Sequence, residues 1–108
     1  MSYEVITISP FDKQAKRLVK KYPSLKVELQ NLIEVLQEKP QLGTPLGDNC
    51  YKARLSIASK SKGKSGGARV ITHLFITQDI VILLAIYDKG EQANVLQKTI
   101  REMLKLIV

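Results

Sequence analysis

Between Asn49 and Gln78 the chain has no Asp or Glu, yet Lys52, Arg54, Lys60, Lys62, Lys64 and Arg69 all fall there. Clustered ammonium and guanidinium groups suit phosphate. The arginine fork matches two phosphate oxygens at once, and neutralising phosphates releases counterions, so such binding weakens as salt rises. Spacing matters more than number. From Tyr51 to Ile57 the apolar residues alternate as Tyr51, Ala53, Leu55 and Ile57. A period of two predicts a strand with Lys52, Arg54 and Ser56 together on its other face. Arg69 opens the next strand of the hairpin, where pairing can bring it beside that face. Lys60, Lys62 and Lys64 lie in a Ser- and Gly-rich stretch that reads as the connecting loop, able to close over a phosphate chain. A solvated face with an ordinary lysine loop is the plainer alternative. It accounts less well for arginine on a strand than for lysine in a loop. Lys64-Ser65-Gly66-Gly67 lacks the glycine spacing and strand-to-helix setting of a nucleotide-hydrolase loop.

Other reactive side chains are few. His73 is the only histidine, within a strand. Ile71, His73 and Phe75 share the face of Arg69, so His73 is either a satisfied core residue or a group beside the site, and its ordinary pKa suits acid–base work. Cys50 is the only cysteine, so no intramolecular disulfide forms, and its place just before a strand predicts a buried, inert thiol. One His and one Cys cannot close a nitrogen–sulfur ligand set, so neither a metal nor another cofactor is expected. Asp88 and Glu91 are carboxylates close in sequence whose geometry the sequence leaves open. Tyr87 ends an apolar run, where it can stack on a base or pack in the core. Lys89 follows it, within reach of the basic face.

The elements that position these groups follow from periodicity. Tyr3 to Ile8 alternates and is rich in β formers, predicting a first strand. Ser9-Pro10 provides a cap and a first helical residue, and Phe11, Ala15, Leu18, Val19 and Tyr22 recur at helical spacing. Pro23 breaks that helix and Ser24 can cap another, with Leu25, Leu29, Leu32, Ile33 and Leu36 as its stripe, ending near Lys39. So short a link predicts an antiparallel helical hairpin. Residues 41–49 read as a loop. Ala68 to Thr77 and Ile80 to Tyr87 are further strands, the second covered on both faces. A last helix is expected from near Glu91 to Leu106.

The order is β-α-α-β-β-β-α. The predicted class is α+β: an antiparallel sheet packed against an N-terminal helical hairpin, with a C-terminal helix. The 108 residues, with 44% apolar and 25% charged composition, fit a single domain over residues 1–108. The net charge of +7 favours phosphates or an acidic protein as partner. The start Met1-Ser-Tyr-Glu-Val-Ile lacks the pattern of a signal peptide, and the longest apolar run is too short to span a bilayer. A cytoplasmic protein without a membrane partner is the expectation.

The Phe11-Asp-Lys-Gln-Ala-Lys-Arg-Leu run, Tyr51-Lys-Ala-Arg-Leu, Gly66-Gly-Ala-Arg-Val-Ile, Leu83-Leu-Ala-Ile-Tyr-Asp-Lys-Gly-Glu and the element order resemble the RelE/ParE superfamily of type II toxin–antitoxin toxins. The likeness covers nearly the whole chain, and the glycine pair before arginine looks most like the RelE and HigB branches. That resemblance implies an endoribonuclease of mRNA (an mRNA interferase) that acts on the ribosome and is silenced by a cognate antitoxin protein. By position it implies Lys52, Arg54, Arg69 and Lys89 as catalytic residues, and places Gly90 where RelE has an arginine and Leu96 where RelE has its catalytic tyrosine. Lys52 would accept a proton or act electrostatically, Arg54 and Arg69 would clamp phosphate, and Lys89 would stabilise charge or act as an acid. Lys60, Lys62 and Lys64 would hold the RNA backbone. Tyr87 and His73 would contribute to RNA binding, with Tyr87 a possible substitute for the displaced tyrosine and His73 a reserve acid–base group. The other readings are a ParE-like gyrase poison, and a non-enzymatic or decayed nucleic-acid-binding member of the fold.

Overall fold

A computed structural model describes residues 2–57, 67–92 and 94–107. Its elements run in the order β1 (Glu4–Thr7), α1 (Ser9–Lys21), α2 (Leu25–Glu38), β2 (Thr44–Gly47), β3 (Cys50–Leu55), β4 (Ala68–Phe75), a 3-10 turn (Ile76–Gln78), β5 (Ile80–Asp88), α3 (Gln97–Leu104) and a final 3-10 turn (Lys105–Ile107).

The strands form one sheet in the order β1-β5-β4-β3-β2. The expected antiparallel meander is present in β3, β4 and β5. The sheet as a whole is mixed, because β1 lies parallel to β5, with Glu4 to Thr7 opposite Ile80 to Leu83. The parallel pairing follows from topology: after the helical hairpin the chain re-enters the sheet in β2 running opposite to β1, and the three antiparallel reversals from β2 to β5 bring β5 back in the direction of β1.

β2 is the second departure from the sequence reading, which took residues 41–49 as loop. Pro45 and two flanking glycines hide this strand, yet an edge strand tolerates proline because a nitrogen without a hydrogen costs no ladder bond on the solvent side. A two-residue turn joins β2 to β3, with Asp48 and Asn49 at φ 54 and 58. Both central residues at positive φ is the geometry that matches strand twist in a hairpin, and Asp and Asn adopt it more readily than other side-chain-bearing residues.

The two hairpin helices keep their predicted stripes, whereas Leu96, expected on the buried side of the last helix, is exposed; helix ends also shift. Ile8, not Ser9, takes the N-cap position of α1, and Ser9 lies within the helix. Ser24 does precede α2, and its hydroxyl donates to the Glu28 carboxylate at 3.4 Å. α3 starts six residues later than expected, at Gln97, since 94–96 have no regular secondary structure and Leu96 has extended backbone.

Each face of the sheet has its own core. On one face Phe11, Leu18, Leu25, Leu29, Leu32 and Leu36 of the hairpin pack on Ala53, Leu55, Val70, Leu74, Val81, Leu83 and Ile86. On the other, Ile100, Met103, Leu104 and Ile107 pack with Cys50, Ile71, Ile82, Leu84, Ala85 and Tyr87. A bulge in β5 explains why its apolar run hardly alternates. Ile71 pairs with Ala85 and Thr72 with Leu83, so Leu84 is the extra residue, and Leu84 and Ala85 both join the α3 face. Gln14 of α1 accepts the Ile86 N–H at 3.1 Å, which occupies the edge of β5 beyond the reach of β1.

Two glycines allow the backbone approaches that frame β3. A Cβ on Gly67 would run into the Leu55 carbonyl, and one on Gly43, at φ 109, would run into the Lys52 carbonyl. Gly43→Ala adds strain at positive φ to that overlap, so it should lower stability by about 1–3 kcal/mol. The expected observation is a lower urea midpoint with an unchanged slope.

Candidate functional site

Strand register builds the site. Arg54 of β3 stands opposite Arg69 of β4, which stands opposite Tyr87 of β5. One pair along, Lys52 stands opposite Ile71, which stands opposite Ala85. All these side chains lie on the α3 face, since Ile71, Ala85 and Tyr87 belong to its cluster and Lys52 and Arg54 share their parity. The structure therefore gathers Lys52, Arg54 and Arg69 on one patch, as their spacing predicted.

Exposure falls sharply across the row. Arg54 is exposed and Lys52 half-buried, whereas Arg69 is 3% exposed and Tyr87 5%. Arg69 is enclosed, which its spacing does not reveal. Its Nη1 donates to the Ala68 carbonyl at 3.1 Å. Like charges directly opposite on neighbouring strands repel, and burying a guanidinium carries a desolvation penalty. The fold nevertheless places Arg54 against Arg69, an arrangement suited to an anion that both can grip.

Lys89 lies just past Tyr87, in a turn held from several sides. Its N–H donates to the Gly67 carbonyl at 3.0 Å. The Gly90 N–H donates to Asp88 Oδ1 at 2.8 Å, and Tyr22 Oη donates to Asp88 Oδ2 at 3.1 Å. Glu91 receives Arg17 at 2.9 Å and lies 3.6 Å from Lys21 Nζ. Asp88 and Glu91 are thus clamps that fasten the turn to α1 and to Tyr22 at its C-terminal end. Their partners lie far away in sequence, so no local signal could reveal them. The Arg17 hydrogen bond, aided by the nearby charges of Arg17 and Lys21, holds the Glu91 carboxyl below its ordinary range.

No family model matches the chain. Solved structures do. A doubly substituted E. coli toxin RelE in the free state superposes with a TM-score of 0.67 at 18% identity, covering 100% of both chains. The toxin–antitoxin complex RelBE2 from Mycobacterium tuberculosis gives 0.58 at 16% identity, covering 82% of this chain and 92% of that one. Isolated E. coli RelE in another crystal form gives 0.52 at 18%, covering 99% and 100%.

The fold is that of the RelE toxins.

Within this RelE-type fold the remaining candidates separate. His73 sits four residues beyond Arg69 on β4, about 13 Å along the strand. It faces Cys50, with Nδ1 3.6 Å from Sγ, and packs edge-on against Phe75. Burial lowers its pKa, partly offset by a hydrogen bond to the Asp48 backbone and by the Asp48 charge. The structure thus joins His73 to a small cluster apart from the arginine row. Leu96, where the resemblance implies a tyrosine, is the N-cap of α3 and 73% exposed. Lys60, Lys62 and Lys64 lie outside the described residues. Among the described residues no helix is long and apolar enough to cross a membrane.

Tyr87 is what the sequence underdetermined. Its hydroxyl is buried with no hydrogen-bond partner among the described residues. Such an atom costs about 1–3 kcal/mol. Burial raises the pKa of the phenol and the neighbouring Arg69 charge partly counters it, so Tyr87 remains a neutral donor at physiological pH.

Two measurements check this electrostatic picture. Burial, with a smaller contribution from Asp48, pushes the Cys50 thiol up to about 11. Cys50 should therefore resist iodoacetamide at neutral pH in the native protein and react once urea unfolds the chain. For Glu91 the folded pKa is depressed, so the clamp stabilises above the ordinary carboxylate range and is lost as pH falls through the lowered value. The melting-temperature difference between wild type and Glu91→Gln should accordingly be visible at neutral pH and shrink below about pH 4.

Proposed function

We propose that this chain is the toxin of a type II toxin–antitoxin pair and cleaves mRNA, with the ribosome positioning the message and a cognate antitoxin silencing it. The observation that carries this reading is the Arg54–Arg69 pair, adjacent across β3 and β4 with Lys52 on the same face. The RelE-type fold supports the toxin class, and the M. tuberculosis RelBE2 complex supports an antitoxin as partner.

RNA carries its own nucleophile in the 2′-hydroxyl. Cleavage requires that this oxygen be aligned with the adjacent phosphorus, that its proton be accepted, that negative charge on the phosphorane be stabilised, and that the leaving 5′-oxygen be protonated. Arg54 and Arg69 supply fixed N–H donors to the non-bridging oxygens. Lys52, half-buried beside them, is the candidate for proton acceptance or further charge stabilisation. Lys89, on its clamped turn, is the candidate for a second stabiliser or for the acid that protonates the leaving group. Lys60, Lys62 and Lys64 are assigned to the RNA backbone, where contacts set affinity and salt dependence. His73, distant from the arginine row, contributes to RNA contact only at its margin. A cytoplasmic location follows from the substrate.

Induced expression tests the reading. Mapping of mRNA 5′ ends should show new cleavage sites, while a gyrase supercoiling assay with purified protein should show no inhibition. Gyrase inhibition without new 5′ ends would replace this reading with the gyrase-poison alternative. Arg69→Ala should abolish growth arrest and lower cleavage about a hundredfold, the usual loss for one oxyanion donor. Arg69→Lys, which keeps the charge and loses the fork, should recover only part of it. Circular dichroism and thermal melts establish that both variants fold.

A further inference from the structure

Tyr87 Oη and Thr72 Oγ1 are both buried without a hydrogen-bond partner among the described residues. Their surroundings differ. Thr72 shares the parity of Val70 and Leu74, on the apolar hairpin face next to the β4–β5 bulge. Tyr87 lies on the other face, directly opposite Arg69. Phenylalanine would fill the same space as Tyr87 without an unsatisfied oxygen, and in a close-packed interior that exchange favours stability. The tyrosine hydroxyl therefore has no role in holding this fold together. It does have a charged neighbour, Arg69, whose charge acts on the Tyr87 phenol and whose guanidinium chemistry suits the same kind of ligand.

We propose that the Tyr87 hydroxyl and the Arg69 guanidinium are two halves of one buried oxyanion pocket, which takes a phosphoryl oxygen between them. This rests on, and deepens, the phosphate-binding reading above. The row is graded for such a ligand: Arg54 stands exposed at the outer strand, Arg69 is enclosed in the middle and Tyr87 is enclosed at the inner strand. An anion entering from solvent meets a hydrated cation first, then a desolvated one, then a neutral donor. Fixed donors shielded from water bind an oxyanion more strongly than exposed ones. The pocket's chemistry is that of a phosphate ester or free phosphate, and it provides a tyrosine donor from β5 in a chain that has leucine at position 96.

The test compares wild type with Tyr87→Phe and, as a control, Thr72→Val. Each protein is melted alone, then with inorganic phosphate, then with a short single-stranded RNA oligonucleotide, and affinities are taken from titrations. The expected result is that Tyr87→Phe melts at or above the wild-type temperature but binds both phosphate and RNA about tenfold more weakly, the worth of one good hydrogen bond. Thr72→Val should bind both as wild type does. A labelled tyrosine ring-carbon resonance in the wild type should shift on phosphate addition and be absent from Tyr87→Phe. Loss of phosphate binding with unchanged RNA affinity supports the pocket and overturns its assignment to the RNA phosphate. Unchanged affinity for both, a lower melting temperature for Tyr87→Phe alone, or a wild type that does not bind phosphate would each overturn the pocket.

Discussion

Strand register is the constraint on which the site depends. Side chains alternate with a period of two, so a one-residue slip of β4 against β3 or β5 would break the row of Arg54, Arg69 and Tyr87 and set the Arg69 guanidinium against the hairpin core. Several features prevent that slip. The Asp48–Asn49 turn fixes β2 on β3. Gly67 lies close against the Leu55 carbonyl where β3 passes to β4. The Leu84 bulge is matched to a single place on β4. Apolar clusters on both faces then make any other pairing expensive, because β4 and β5 have no solvent-facing side to which a misplaced residue could turn.

Within that register the arginine row is a local conflict that the rest of the molecule sustains. Facing guanidinium groups repel, a buried arginine is costly, and an unsatisfied phenol adds to the burden. Strain of this kind persists only where surrounding structure over-determines it, and it concentrates where ligands bind. The hairpin and the β5 turn brace the inner end of the row. Arg17, Lys21 and Tyr22 hold Glu91 and Asp88, so the end of β5 is fixed from the face opposite the row.

What was legible in the sequence was local. The alternation of Tyr51 to Ile57 gave β3 and the shared face of Lys52 and Arg54, and the leucine stripes gave both hairpin helices. The parallel partner of β1 was hidden, because it lies more than seventy residues away and strand composition carries no direction. β2 was hidden because its own residues argue against a strand: Pro45 and the flanking glycines read as loop unless the edge position is known. The late start of α3 reflects an extended link whose residues do not break a helix. At the site, side-chain types were readable but enclosure was not. Nothing in the spacing of Arg69 or Tyr87 distinguishes an exposed cation from a buried one, or a stacking platform from a lone hydroxyl.

The parallel pairing of β1 with β5 also sets an order of events during synthesis. β1 emerges first, yet its only strand neighbour is made last of the five. The hairpin helices can form in the meantime from local contacts, while β1 must wait through all of the intervening chain for a partner. The arginine row likewise needs three strands, and its inner member lies on that same late strand. A nascent chain that has not yet made β5 therefore holds the charged residues without the geometry that joins them. Assembly of the sheet and appearance of the arginine row become one step, so partly made copies carry positive charge but no assembled row.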